Sequence, residues 1–318
     1  MQLILNVVIP IFGLIAIGYL FARIGLLSEA TGESLGSFVF MVGVPVLLFR
    51  TVASADFNDG NPLLLWLVYF GAVAVTWTLS TVLVRKLTSA DRRSGVIAGI
   101  SASFANTAFI AIPAVDRAYG ELGLHPLFMV ISIHMPVMML TSSLLIERAA
   151  ARDARDQGID IHAARLGQVL LRVGKGLAGN ALVIGLASGF LWHLTGLALP
   201  GPIDQITELL ARTAGPIALF SIGMSLNRFS VRGDLLAPAI TSFLSLLLMP
   251  ALVYLFGRNL LPPLWLKAAV VTAACPAGVN AYVLAVYFRS GEKLAAAAIL
   301  VSTLGAVLTL SGWLAILG

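Results

Sequence analysis

The sequence predicts an all-α membrane protein of ten transmembrane helices, arranged as two five-helix repeats of opposite orientation. Three observations carry that expectation. Hydrophobic residues make up 59% of the 318 and charged residues only 11%, with a mean hydropathy of +0.96. A soluble chain of this length needs far more charge to coat its surface. The apolar residues also fall into ten runs, at 3–22, 35–53, 62–84, 95–115, 125–146, 168–192, 204–226, 235–257, 264–288 and 294–317. Each is close to the roughly 20 residues that cross a hydrocarbon core about 30 Å thick. Finally, Gly18, Gly25, Pro45, Leu48 and Phe49 have identical partners 171 residues later, in Gly189, Gly196, Pro216, Leu219 and Phe220. The segments GVPVLLF (43–49) and AGPIALF (214–220) align without a gap. Five helices per repeat make the second repeat enter the membrane in the opposite sense, an arrangement typical of secondary transporters with a midplane site.

The first run follows Met1-Gln2 directly, with no basic leader segment or small-residue cleavage site, and reads as a retained helix. Turn residues such as Asp59-Gly60-Asn61-Pro62 and Leu261-Pro262-Pro263 separate later runs. The longest charged stretch divides the chain into a first repeat at 1–146, a connecting loop at 147–166 and a second repeat at 167–318. Fifteen of the twenty lysines and arginines fall in connections after odd-numbered runs. The positive-inside rule then places the central loop in the cytoplasm and both termini outside, on the periplasmic face of an inner membrane. The net charge of +5 and pI near 9.7 follow from those loops and do not signal nucleic acid. A single cysteine, Cys275, excludes an intramolecular disulfide, and no zinc-ligand cluster occurs.

Chemistry concentrates in two runs. The fourth reads SASFANTAFIAIPAV (101–115) and the ninth TAACPAGVNAYVLAV (272–286). Each sets an asparagine, Asn106 or Asn280, amid small residues and a proline at mid-span, and the two lie 174 residues apart. Pro276 lacks an N–H and clashes with the carbonyl four residues back, so it predicts a helix break, and Pro113 predicts a second. Gly278 lowers the cost of irregular backbone. Two breaks meeting at the midplane would aim two half-helix N-termini at an anion. Asn106, Thr107, Gly278 and Asn280 are therefore the candidate substrate-binding residues, the amides both donating and accepting. The plainer alternative is that both asparagines only bridge neighbouring helices. His134, at the centre of the fifth run, is a further candidate for substrate contact or proton sensing, and a packing histidine is the competing reading.

VIPIFGLIAIGYL (8–20), FMVGVPVLLF (40–49), FANTAFIAIP (104–113), GPIALFSIGMSL (215–226) and CPAGVNAYVLAVYF (275–288) resemble the auxin efflux carrier family, which includes plant PIN carriers and bacterial malonate- and malate-type transporters. The resemblance covers nearly the whole chain and rests on the order and spacing of its motifs. It implies a fold like that of bile-acid symporters and some sodium/proton antiporters, with crossed, broken fourth and ninth helices. Helices one, two, six and seven would form a scaffold, the other six a moving transport unit, and the scaffold a homodimer interface. Plant members carry proline just before the first crossing asparagine, where this chain has Ala105, so the fourth-helix break is expected to be softer. Asp56 resembles an acidic residue after the second helix of plant members and is a candidate gate residue.

The remaining polar groups read as structural. Glu208 and Arg212 are four apart in the order favourable for a helical ion pair. Asp116 and Arg117 read as interfacial, and the basic run at 148–172 as a topology determinant against lipid headgroups. No Walker motif and no nucleophile–base pair is present, so neither direct ATP drive nor an enzyme is expected, and no cofactor. The expected function is a secondary transporter of a small organic anion, a mono- or dicarboxylate and conceivably auxin-like, with a proton or sodium as coupling partner. Sodium-coupled symport of the bile-acid type is the alternative, ahead of a channel or a membrane-embedded sensor.

Overall fold

Polar caps and glycine turns cut the apolar runs into twelve helical segments among the residues that the computed structural model describes, 2–54, 60–156, 166–229 and 235–318. In order they are α1 Gln2–Arg23, α2 Glu29–Ala53, α3 Pro62–Leu87, α4 Arg92–Ser103, α5 Thr107–Asp156, α6 Leu166–Ala178, α7 Ala181–His193, α8 Gly201–Leu226, α9 Leu236–Gly257, α10 Pro263–Ala273, α11 Val279–Tyr287 and α12 Glu292–Leu317. Seven are long and apolar enough to cross a membrane. Ser28, Asn61 and Asp91 cap α2, α3 and α4, each accepting a first-turn N–H on its side-chain oxygen. No strand occurs among the described residues, and the protein is an all-α membrane protein.

Several boundaries differ from those read in the sequence. The sixth run is interrupted between Ala178 and Ala181, because Asn180 caps α7 by accepting from the N–H groups of Leu182 and Val183. α5 continues to Asp156, past the boundary predicted at 146, since its end is rich in alanine and arginine, both strong helix formers. The fourth and fifth runs share one helical stretch, divided at Gly120 by a left-handed φ of 65°. Proline also acts differently from expectation. Three five-residue π-turns, Val39–Gly43, Thr107–Ala111 and Leu244–Leu248, each end two residues before a proline, Pro45, Pro113 and Pro250. The wider turn moves the preceding carbonyls away from the ring, so the helix passes the proline without breaking.

The helices enclose one large core, with Tyr69, Ile97, Ile100, Leu127 and Leu219 almost wholly buried. Large aliphatic side chains such as Leu63, Leu67, Leu304 and Leu308 cover the outside, each more than 60% exposed. That periphery suits hydrocarbon and not water. α1 lies along α8, and the C-terminal part of α2, Val44–Ala53, lies along α7. Contacts recur between the two pairs. Gly18 has no room for a Cβ against the carbonyl of Phe220, and Gly189 none against the carbonyl of Phe49. Phe21 meets the ring of Phe220 edge-on at 5.7 Å, while Trp192 meets that of Phe49 at 6.4 Å. Gly25 and Gly196, in the turns that follow α1 and α7, both adopt left-handed backbone, with φ of 74° and 65°.

Ion pairs clamp α2 to α8 near both ends. Arg228, just past α8, bonds Glu33 at 2.7 Å and lies 3.7 Å from Glu29. Arg50 bonds Asp204 at 2.5 Å and also donates to the Thr207 hydroxyl at 2.7 Å.

Candidate functional site

A break in each of two helices creates the site. The backbone leaves the helix between Ser103 and Thr107, and again between Ala273 and Val279. The freed segments meet as a short antiparallel bridge centred on Ala105 and Ala277. Asn106 N–H donates to the Pro276 carbonyl at 2.9 Å, and Gly278 N–H donates to the Phe104 carbonyl at 2.7 Å. Ala277 N–H donates to the hydroxyl of Ser302 on α12 at 3.1 Å. Backbone groups that left their helices thus find partners in each other, the condition for irregular backbone inside a membrane protein.

Each predicted site residue has a distinct place. Asn106, 6% exposed, caps the half-helix that follows it, its side-chain oxygen accepting from Phe109 N–H at 3.2 Å. Thr107, buried beside it, donates its N–H to the Ala105 carbonyl at 2.9 Å. Gly278 has ordinary φ of −74°, so its value is close approach: a Cβ there would stand 3.0 Å from the Phe104 oxygen. As the cap of α11, Gly278 offers no side-chain acceptor to the first-turn N–H groups; Ala281 N–H turns back to the Gly278 carbonyl at 3.0 Å, and Val279 and Asn280 line the cavity. Asn280 is half-buried, and its amide touches the Met135 sulfur at 3.7 Å. Pro276 lies in the α10–α11 break. Pro113 does not lie at the other break but within α5, beyond the π-turn that accommodates it. The break before α5 needs no proline, because Asn106 and the bridge to α10–α11 replace the lost helical bonds. The bridge sets Asn106 opposite Pro276 and Phe104 opposite Gly278, while Asn280 lies two residues beyond it. Asp56 falls outside the described residues.

These segments line a cavity of about 590 Å³. His134, 1% exposed, also lines it, packed among the rings of Phe104, Tyr69 and Phe70 at 4.8, 5.7 and 6.0 Å. Neither of its ring nitrogens has a hydrogen-bond partner, nor does the buried hydroxyl of Tyr69. Most of the remaining wall is apolar, including Phe40, Phe109, Ile131, Leu182 and Val283. Charge appears only at the mouth, where Arg228 is already held by Glu29 and Glu33. No sequence motif marks this mouth, although the three residues flank predicted helix ends.

A second cavity of about 510 Å³, lined by Arg50, Pro113, Asp116, Arg117, Asp204 and Glu208 among others, shares no residue with the first. Ile110 and Ala111, neither with accessible surface, lie along the chain between Phe109, which lines the first cavity, and Ile112, which lines the second. Glu208 and Arg212 form the expected ion pair on the rim of this second cavity.

Residues 3–314 match the family described as Membrane transport protein. Among curated proteins, the chain is 24% identical over 97% of its length to a Rhizobium meliloti protein named "Putative malonate transporter", covering 94% of that protein. It is 25% identical over 98% of its length to an uncharacterized transporter of Methanothermobacter thermautotrophicus, covering 97% of it. Similarity to the uncharacterized transporter YfdV of Escherichia coli is 22% identity, over 96% of this chain and 95% of the relative.

Proposed function

Because this chain belongs to the membrane transport protein family, that of the auxin efflux carriers, we propose that it is a secondary carrier moving a small organic anion across the inner membrane by alternating access. The observation that carries the reading is the seam of two broken helices at the wall of a 590 Å³ cavity. Uncapped N–H groups at the start of α11 offer a carboxylate hydrogen bonds and about half a positive charge without placing a cation in the membrane. The two cavities share no lining residue, and the fully buried Ile110 and Ala111 fall between Phe109 of one and Ile112 of the other, which supports a carrier that opens to one side at a time over a continuous channel.

The ten-span, inverted-repeat organisation belongs to the same proposal. Its support is the reciprocal packing of Gly18 on Phe220 and Gly189 on Phe49, since each contact becomes the other when residues are exchanged at the 171-residue offset. The ring pairs Phe21–Phe220 and Trp192–Phe49 obey the same exchange. With both termini outside, the larger cavity opens toward the cytoplasm, on the side of Glu29, Glu33 and Arg228.

The lining favours a substrate with one carboxylate and an apolar body. One relative is named for malonate, yet among the described residues the one cation on this cavity's wall is Arg228, which is committed to two glutamates. A second carboxylate would therefore be buried without a counter-charge. Counterflow in proteoliposomes tests the function: preloaded unlabelled monocarboxylate should drive saturable uptake of the labelled compound. Non-saturating flux with measurable conductance would instead mean a channel. Repeating uptake under a proton or a sodium gradient identifies the coupling ion.

A further inference from the structure

Away from the crossing, the charged end of the α3–α4–α5 corner encloses a separate cavity of about 260 Å³. Four arginines line it: Arg85 from α3, Arg92 from α4, and Arg148 and Arg152 one turn apart on α5. Among the described residues none that lines it is acidic. Arg92 is held by Asp153 at 3.0 Å and Asp156 at 2.5 Å, whereas Arg85, Arg148 and Arg152 have no carboxylate partner among the described residues. Placing around one cavity three guanidinium groups without a carboxylate partner among the described residues costs free energy by mutual repulsion, and an anion in the cavity removes that cost.

The inner wall offers neutral donors. Trp77 and Thr81 stand on the same face of α3 as Arg85, and both line the cavity. Trp77 is 5% exposed, and neither its indole N–H nor the Thr81 hydroxyl has a hydrogen-bond partner. Their positions depend on two glycines of α4. A Cβ on Gly99 would stand 2.5 Å from the Thr81 oxygen and 2.6 Å from the Trp77 nitrogen, and one on Gly95 would strike the Arg85 stem at 2.5 Å. The missing Cβ atoms make the space in which these donors sit. Below the arginines, Val75, Leu79 and Val82 form an exposed apolar stripe along α3, 38–40% accessible.

We infer that this corner is a binding site for a phosphate group that carries no attached cation, with the guanidinium groups, the indole N–H and the Thr81 hydroxyl as its donors. Buried, unsatisfied donors beneath a ring of arginines suit an anion with several acceptor oxygens. The apolar stripe leading away from the cavity suits the acyl chain of a phospholipid whose headgroup occupies it. Free phosphate offers the same head chemistry without use for the stripe.

Thermal unfolding of the full-length protein in detergent, titrated with phosphatidylglycerol, phosphatidylcholine or inorganic phosphate, tests the site. Phosphatidylglycerol should raise the unfolding temperature saturably, while phosphatidylcholine should not. Arg148 and Arg152 are exposed, so Arg148→Gln/Arg152→Gln leaves the core alone and should weaken the apparent affinity roughly tenfold or more. Thr81→Val keeps the side-chain shape and should weaken it by roughly tenfold or more, as for one lost hydrogen bond to a charged group. An equal response to inorganic phosphate, with the same sensitivity to both variants, would support the phosphate site and assign it to a soluble ligand. Undiminished phosphatidylglycerol stabilisation in both variants, or equal stabilisation by phosphatidylcholine, would overturn the inference.

Discussion

Ala105 and Ala277, from segments far apart in the chain, face each other as an antiparallel bridge where two helices are broken. The flanking bonds, Asn106 N–H to Pro276 O at 2.9 Å and Gly278 N–H to Phe104 O at 2.7 Å, make the bridge two-sided. Each break supplies the partners that the other needs. Disrupting one side should therefore disturb both half-helices and the cavity that they line.

Gly278→Val tests that dependence. Even a single Cβ would sit 3.0 Å from the Phe104 oxygen, so a branched side chain must push the two segments apart. The expected cost is about 1–3 kcal/mol of stability, as for other overpacked sites, together with loss of uptake. Wild-type melting and uptake in this variant would mean that the segments separate freely.

The two asparagines should fail in different ways. Asn106 caps its own half-helix through Phe109 N–H, so Asn106→Ala should lower stability by about 0.5–2 kcal/mol as well as impair transport. Asn280 touches only a thioether, so Asn280→Ala should spare the melting temperature while weakening substrate affinity by roughly 10- to 150-fold. Melting curves and uptake kinetics of both variants separate these effects.

Two prolines give a contrast within one protein. Pro276→Ala restores an N–H inside the α10–α11 break and should lower transport, because a helix that runs on withdraws the Pro276 carbonyl from Asn106. Pro113→Ala lies past the break, within α5, and should leave uptake within about twofold of wild type, the small effect expected away from a binding site. Equal, severe loss in both would move the site toward Pro113 and the second cavity.

The two clamps between α2 and α8 should differ in strength. Arg50 is 22% exposed and makes three bonds, to the Asp204 carboxylate, the Asp204 carbonyl and Thr207, so Arg50→Ala should cost about 1.5–3 kcal/mol. Arg228 meets glutamates that are 62% exposed, and Arg228→Gln should cost less than about 1 kcal/mol. Denaturation of each variant in the same detergent provides the comparison, and a larger loss for Arg228→Gln would contradict it.

Much of this architecture is legible in composition and spacing, and the reasons are physical. A membrane helix must be apolar over its whole span, so the runs mark most helices. Gly18 and Gly189 are identical because both are crossed by a backbone carbonyl, and Gly25 and Gly196 because both take left-handed turns. Pro276 marks its break because nothing in the helix can replace its missing N–H. Pro113 misleads for a related reason: a π-turn relieves a proline without breaking the helix, and that relief is local backbone geometry with no residue signature of its own. Asn280 stands two residues beyond the bridge, whose register is set by tertiary hydrogen bonds and leaves no mark in residue spacing. The arginine corner near Trp77 was hidden because its residues come from three helices and meet only in space.

Topology offers an independent check. Cys275 is fully buried, so a single cysteine introduced at Gln157 in a Cys275→Ser background reports only on the central connection. An impermeant maleimide should leave it unlabelled in intact cells and label it after permeabilisation. Strong labelling from outside would reverse the orientation assigned from the arginine excess.

The most direct measurement is ligand-induced thermal stabilisation of wild type and Asn280→Ala by apolar-bodied monocarboxylates, each compared with its neutral amide. Selective ligands stabilise the native state by mass action. At least one carboxylate should stabilise wild type, its amide should not, and Asn280→Ala should lose most of the effect. Equal stabilisation by acid and amide, or full retention in Asn280→Ala, would contradict anion recognition at the crossing.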